Sequence, residues 1–477
     1  MRTRTATTAG RPRNGEAAER AARRSSRGRL AAAGTAAALA SLVGLTAPAL
    51  AGSAAAQARP EVTSHASGCK ASATKITFWA WVPGIDRAVT AFNKTHPSIC
   101  VTLSDVGAGD PEYVKLAQAA KAGSGEPDVA EVEYDELPSF VITHSVINLV
   151  PYGANAVKND FVPWVWKEVS QGSAVYAIPG DTGPMATYYN SALFAKYHLS
   201  PPATWKQFAS DAATLKKDDP KAFITNFSAT DLQWVMALMG QYNAWPFVYH
   251  GGSKLTIDFT GPRQMAFADY WQKLLSAHEV NVTTDVSTVS FTDLNDGTDA
   301  LWLSSAWGPS YFTEGTSPSK GGSLGEWRAA PLPQWVAGRA VSANWGGSSY
   351  PVFSQSKHPA QAAEFAEWLN ASAASWNITK TAPSSLFPSY KPLLDSSSFK
   401  NITVPLSGSS HPYVVFSQAA AGATFQDWPP IMTEALTDSS TAFAGVVNGT
   451  ETLPAAFRSF QKTLVSYAKS QGFTVTT

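Results

Sequence analysis

Between residues 76 and 134 the chain switches repeatedly between two hydrophobic periods, and this restricts the possible folds more than any other stretch. Residues 76–81 (ITFWAW) read as a strand, after which Ile85, Ala88, Val89 and Phe92 recur at i, i+3, i+4 and i+7 on one helical face. Pro97 closes that helix and residues 99–103 (ICVTL) give a second strand. Asp110-Pro111-Glu112 then opens another helix, with a cap, a first-turn proline and a carboxylate near the dipole's positive end. This helix should bury Tyr113, Leu116, Ala117 and Ala120 and stop at Gly123, before a third strand at 128–134. A βαβαβ order implies parallel strands with right-handed crossovers and helices on the sheet faces. Ligands of such sheets gather beyond the carboxyl ends of the strands, here Trp79 to Trp81 and Glu133 to Glu136. An indole packs on the C–H face of a sugar and a carboxylate accepts from its hydroxyls, so this rim suits carbohydrate. Trp79, opposite its neighbours in the pleat, is assigned to the core.

A second stretch, residues 174–190 (AVYAIPGDTGPMATYYN), reads as a joint. Strand-like runs at 174–178 and 186–189 flank Pro179, Gly180, Gly183 and Pro184, which fix φ at the prolines and free it at the glycines. The joint carries one carboxylate, Asp181. Beyond it the chain resumes with Thr204-Trp205-Lys206-Gln207 at capping-box spacing, a helix over 263–278, and a strand over 300–307 ending at Trp307. Residues 327–333 are expected to cross back, and Asn344-Trp345-Gly346-Gly347-Ser348 forms a glycine-permitted loop beside an indole. Helices follow at 359–369 and in a tail that buries Phe457, Phe460 and Leu464.

The first 51 residues stand apart. Residues 1–29 hold nine arginines, residues 30–50 are free of charge and rich in Ala and Leu, and Ala49-Leu50-Ala51 fits a cleavage site, so 1–51 is expected to be an export signal and 52–75 a linker. Arg23-Arg24 leaves a twin-arginine route open beside the general one. Without residues 1–51 the chain carries 27 Lys and Arg against 34 Asp and Glu. That balance argues against nucleic acid and against an anionic membrane surface as partners. Export makes a disulfide between the two cysteines, Cys69 and Cys100, the leading reading. Lipidation of Cys69 stays open, since residues 66–69 (ASGC) loosely resemble a lipobox.

The sequence lacks a Walker A loop and the H-E-x-x-H signature, and its eight histidines show no ligand spacing, so neither catalysis, a cofactor nor a metal is expected. A secreted Trp-rich glycoside hydrolase remains an alternative, because paired carboxylates need meet only in space. A polyamine or a metal ligand is a second alternative.

The blocks ITFWAW, AFNKTHPSICVTL, AAKAGSGEPDVAEVEYDEL and AIPGDTGPMATYYNSALFAKYHLSPPATWKQF, followed by WRAAPLP, NWGGSSY and HPAQAAEFAEWLN, resemble extracellular solute-binding proteins of family 1, the sugar-binding components of bacterial ABC importers. The resemblance implies an α/β, two-lobe periplasmic-binding-protein-like fold of the type II, cluster-D-like kind. Each lobe would be a mostly parallel sheet flanked by helices and joined by hinge strands at 178–185 and 327–333. Residues 76–181 with about 331–385 would form the first lobe, and 186–327 with about 386–477 the second. Matched onto the family's pattern, Trp81, Tyr134, Asp135, Asp181, Trp234, Trp307, Trp345, Gly346, Ser348 and Trp428 would contact the ligand. The partners implied are a carbohydrate and the importer's membrane permease, for a monomer outside the cytoplasm.

Overall fold

The computed structural model describes residues 69–315, 323–380 and 386–477; the expected export signal and most of the expected linker lie outside these. Strand β1 (Thr74–Trp79) begins two residues before the expected start and runs parallel to β2 (Ile99–Ser104) along its whole length. The helix between them, Ile85–Thr95, buries the apolar stripe read from its spacing and packs Phe92 against Phe365. In the next helix, Asp110–Ala122, the N-cap is Gly109 and Gly123 ends the helix in the left-handed conformation. Tyr113 and Leu116 are buried there as expected, whereas Ala117 is exposed and Glu112 takes the inward position.

The expected third strand divides at Glu131. Its first part, β3 (Val129–Ala130), pairs in parallel with β1, while β4 (Val132–Glu133) joins a different sheet. The break turns Glu131 out of both ladders and toward the end of β1, where its backbone N–H still bonds Trp79 O. After a two-stranded ribbon of β5 (Ser170–Gln171) and β6 (Ala174–Val175), strand β7 (Ala177–Pro179) leads into the joint and β8 (Met185–Asn190) leads out.

Strands β9 (Phe247–Tyr249) and β10 (Lys254–Ile257) form a hairpin beyond the second core. Strands β11 (Leu301–Ser305) and β12 (Trp327–Ala330) flank β8, and both run antiparallel to it. Parallel bridges Phe223↔Asp299 and Asn226↔Asn281 continue this sheet on its β11 side. The expectation of a mostly parallel sheet thus holds for β1 to β3 and is corrected for the second sheet, which is mixed. The physical reason is that β8 enters from the joint, against the direction of the strands that return toward it.

The return crossing also moves. Residues 327–333 do not cross: β12 stays paired with β8, Trp205 N–H bonds Gln334 O, and Trp335 stacks on Trp205 at 5.3 Å. The chain turns back only after Ser342, and β13 (Ser348–Pro351) then pairs with both β4 and β7. The helix Pro359–Ala371 buries Ala362, Phe365, Ala366 and Leu369 as read from its spacing and closes the first core. The long helix Leu453–Ser470 sets Phe460 edge-on to Phe259 at 5.1 Å, and β14 (Thr474–Thr476) adds to the hairpin in parallel with β10.

Cys69 and Cys100 form a disulfide that ties the segment before β1 to β2, across 31 residues of sequence. A sulfur held in a disulfide is not free for the thioether of a lipid anchor. Among the described residues no helix is long and apolar enough to cross a membrane.

Candidate functional site

Three segments lie side by side where the two main sheets meet. The outgoing residues 180–184 pair with 343–348, with Gly180 N–H to Ser348 O at 2.9 Å and Trp345 N–H to Gly183 O at 2.8 Å. The third segment was not foreseen. Thr182 N–H bonds Phe387 O at 2.8 Å and Ser389 N–H bonds Gly180 O at 3.1 Å, so residues 387–389 run along the other edge. Two glycines are required by this packing. A Cβ on Gly183 would stand 1.8 Å from Trp345 O, and Gly347 adopts φ 110° with Asp181 O, Thr182 Cα and the Tyr134 ring each 3.0 Å from where its Cβ would be.

Above this junction is a cavity of about 300 Å³ with a wall from each side. Trp81, Glu131 and Glu133 come from the ends of β1, β3 and β4. Opposite them stand Trp307, just past β11, Tyr311 on the following helix, and Asp231 and Gln233 at the start of the helix Leu232–Gln241. Asp181, Trp345, Gly346, Gly347 and Ser348 make the floor. Trp307 is fixed by an N–H bond to Trp345 O at 3.0 Å, its ring 4.6 Å from that of Trp345 and 5.5 Å from Tyr311.

Glu131 Oε2 accepts from the backbone N–H groups of Trp81 and Val82, and Oε1 from Ser348 Oγ at 3.1 Å. Asp181 Oδ1 accepts from Ser348 N–H at 2.9 Å. Both carboxyls are nonetheless raised, Glu131 to about 8 by burial and by the nearby Asp181, and Asp181 to about 6 by burial. Asp231, which caps its helix through Trp234 N–H, is likewise raised by burial to about 6. Glu133 is held well above its usual range by burial and by Asp135, although it accepts from Tyr113 OH at 3.0 Å.

These shifts fix the sign of a pH effect. Each carboxyl titrates higher in the folded chain than its ordinary value, 4.5 for Glu131 and 3.8 for Asp181, so in between the native state holds protons that the unfolded chain has lost. Their contribution is fully present below the unfolded pKa and declines as pH rises through the folded one. The ligand-free Tm is expected to fall between about pH 5 and 8, and Glu131→Gln to flatten the upper part of that decline. A scanning-calorimetry series in which Tm rises over this range would contradict the assignment.

Of the residues read from sequence, the structure gathers Trp81, Asp181, Trp307, Trp345, Gly346 and Ser348 around one cavity. Four others are placed elsewhere. Trp234 is wholly buried, donates to Leu303 O at 2.9 Å and lies edge-on to Phe227, so it is core. Burying an indole of this kind removes roughly 200 Å² from water, on the order of 5 kcal/mol, which is reason enough for its presence. Tyr134 is buried and donates to Asp181 O at 2.9 Å, bracing the joint. Asp135 is buried behind Gln233, whose amide it accepts at 2.5 Å. Trp428 packs edge-on to Trp245 at 4.8 Å and lines a separate cavity. The sequence reading missed Glu131, Asp231, Gln233 and Tyr311. The cap position of Asp231 before an apolar helix was a usable signal for one of them, while Glu131 sat inside an expected strand.

Residues 321–325 (GGSLG) also have the spacing of a nucleophile elbow, which the sequence reading passed over. Gly321 and Gly322 lie outside the described residues. Ser323 Oγ accepts from Trp327 Nε1–H at 2.9 Å and donates to Leu294 O.

The profile of one protein family, bacterial extracellular solute-binding protein, matches residues 80–375. The chain belongs to this family. An arabinooligosaccharide-binding protein of Halalkalibacterium halodurans is 24% identical over 306 residues, which span 61% of this chain and 66% of that protein. Among solved structures, the ABC transporter associated binding protein of B. animalis subsp. lactis Bl-04, in complex with β-1,6-galactobiose, is 28% identical with a TM-score of 0.72, covering 85% of this chain and all of that one. The galacto-N-biose-/lacto-N-biose I-binding protein of Bifidobacterium longum, in complex with lacto-N-biose, gives 23% and 0.73 at the same coverage. This solute-binding protein therefore has the two-lobe α/β fold expected of its sequence.

Proposed function

We propose that this solute-binding protein captures a carbohydrate, an oligosaccharide, outside the cytoplasm by closing its two lobes on it, and hands it to the permease of an ABC importer. The observation that carries this reading is the cavity at the junction, whose walls belong to different sheets and combine indoles with carboxylates. A ligand touching both walls favours the closed form through that differential contact. We place the hinge in residues 180–184, 343–347 and 387–389, in place of 327–333. The ligand contacts are assigned to Trp81, Glu131, Glu133, Asp181, Asp231, Gln233, Trp307, Tyr311 and the floor at 345–348. Residues 1–51 are taken as the export signal, and the mature chain as a monomer without catalytic activity.

The test is a thermal-shift series with β-1,6-galactobiose, lacto-N-biose and arabinooligosaccharides, read together with small-angle scattering. A cognate sugar at about a hundred times its Kd stabilises the fold by about 2.7 kcal/mol and compacts it. Absence of any shift over the series, or release of shorter sugars during incubation, overturns the reading; the second outcome would make it a hydrolase. Carboxylates on both walls also suit a polyamine, so spermidine belongs in the same series. A shift with spermidine alone would replace sugar by polyamine.

A further inference from the structure

The cavity at the junction is lopsided in charge. Glu131, Glu133, Asp181 and Asp231 line it, and among the described residues no Lys, Arg or His does. What acts on these carboxyls besides burial and hydrogen bonds is more carboxylate: Asp181 on Glu131, Asp135 and Glu136 on Glu133, and Asp135 on Asp231. Asp285 adds a further acid beside Asp231, while Lys115 acts on Glu112, itself a neighbour of Glu131.

Several donors of the walls are already committed within the protein. The Gln233 amide gives to Asp135 at 2.5 Å, Ser348 Oγ to Glu131 at 3.1 Å, Ser310 Oγ to Trp307 O at 2.6 Å, and the Trp307 indole to Trp345 O at 3.0 Å. A sugar hydroxyl both donates and accepts, so walls made for a neutral glycan offer both kinds of partner. These walls are weighted toward acceptors. A primary ammonium brings three donors, no acceptor and the opposite charge, which is their complement.

Two of the carboxyls supply that charge. Glu131 has both oxygens engaged, by the Trp81 and Val82 N–H groups and by Ser348, and at about 8 it keeps its proton at neutral pH. Asp181 on the floor and Asp231 on the second wall, each at about 6, are ionised there. Buried carboxylates without a counter-ion are costly, and a ligand cation beside them removes that cost. The rings add to this. Trp307 is inclined against Trp345 at 4.6 Å and Tyr311 at 5.5 Å, and an aromatic face attracts a cation as well as the C–H face of a sugar. A polyamine shares the charge but has no ring face to set on an indole.

We infer that the carbohydrate taken by this cavity is an amino sugar, its ammonium among the carboxylates, Asp181 and Asp231 foremost, and its ring on the indoles. The inference rests on the carbohydrate reading above and adds the charge of the ligand. The protein then separates a free amine from its N-acetylated form, whose nitrogen is neutral and whose carbonyl brings an acceptor.

Isothermal titration of the mature protein at pH 7 tests this with glucosamine, galactosamine and β-1,4-linked glucosamine di- and tetrasaccharides. The controls are their N-acetylated forms, cellobiose and cellotetraose, β-1,6-galactobiose, lacto-N-biose and spermidine. The preferred amino sugar should bind about 10- to 100-fold more tightly than its N-acetylated and deaminated counterparts. Its affinity should fall about tenfold from pH 7 to pH 5, as protonation of a carboxyl at about 6 withdraws the charge. Asp231→Asn, which keeps a good helix cap, should narrow the preference for the amine to about threefold or less. A neutral sugar that binds as tightly as every amino sugar, or an Asp231→Asn variant with the full preference, overturns the inference and leaves the carbohydrate reading standing. Binding of spermidine alone, or of no probe, overturns both.

Discussion

Trp307→Ala is expected to weaken binding of the cognate sugar by about 30- to 100-fold while leaving the ligand-free Tm within about 2 °C of the parent. The indole is only half-buried, so removing it opens little of the core, yet it presents the largest flat surface of the second-lobe wall. A central aromatic anchor in a pocket contributes about 2 to 3 kcal/mol to binding, and its loss converts to that change in Kd. Trp307→Phe should recover part of the affinity, since the ring returns but the N–H that fixes it on Trp345 O does not. Isothermal titration of the three proteins decides the matter. A change below about threefold for the alanine variant would mean that the sugar lies against another wall.

The second large effect falls on the joint. Gly183→Ala places a methyl 1.8 Å from Trp345 O, far inside van der Waals contact, and the obstacle is backbone that is itself tied to Gly183 and Ser305. No side-chain rotation relieves such a clash, so the two crossing segments must separate and lose their hydrogen bonds. A destabilisation of about 3 kcal/mol or more is expected, which lowers Tm by roughly 6 to 12 °C or prevents recovery of folded protein. Sugar affinity should drop with it, because Asp181 and Trp345 on the cavity floor lie within two residues of the clash. A variant with parental Tm and affinity would show that the crossings are far more pliable than their packing indicates.

Much of the architecture could be read from residue order because local period and end signals determine it. The stripe at Ile85, Ala88, Val89 and Phe92, the cap at Thr204 and the stop at Gly123 each depend on neighbours within a turn or two, and each is found as read. The return crossing was misplaced for the converse reason. Residues 327–333 look like a strand followed by prolines, and nothing local reveals that β8 is their partner until residue 330. The participation of residues 387–389 in the joint has no local signal either, since it consists of backbone bonds to a segment two hundred residues away.

For the cavity the division is similar. Trp81, Asp181 and Trp307 were legible because each ends a strand or occupies the joint, positions where this class of sheet exposes its side chains to ligand. Trp234 and Trp307 carry the same indole, and only packing distinguishes them: one is closed in by Phe227 and Trp271, the other stands at a mouth. The acidity of the site was hidden in the same way. Glu131 interrupts what reads as one strand, and its raised pKa arises from burial beside an Asp181 fifty residues away.

The sequence by itself determined the family, the alternation of strand and helix from β1 to β3 and the pairing of the only two cysteines. These depend on periodicity, on backbone-restricting residues and on a count. Tertiary structure alone decided where the chain returns, that three segments and not two meet at the joint, which tryptophans face a cavity, and that four carboxylates converge on one of them. Those are contacts between residues far apart in the chain, and a one-dimensional pattern carries no record of which distant surfaces burial will bring together.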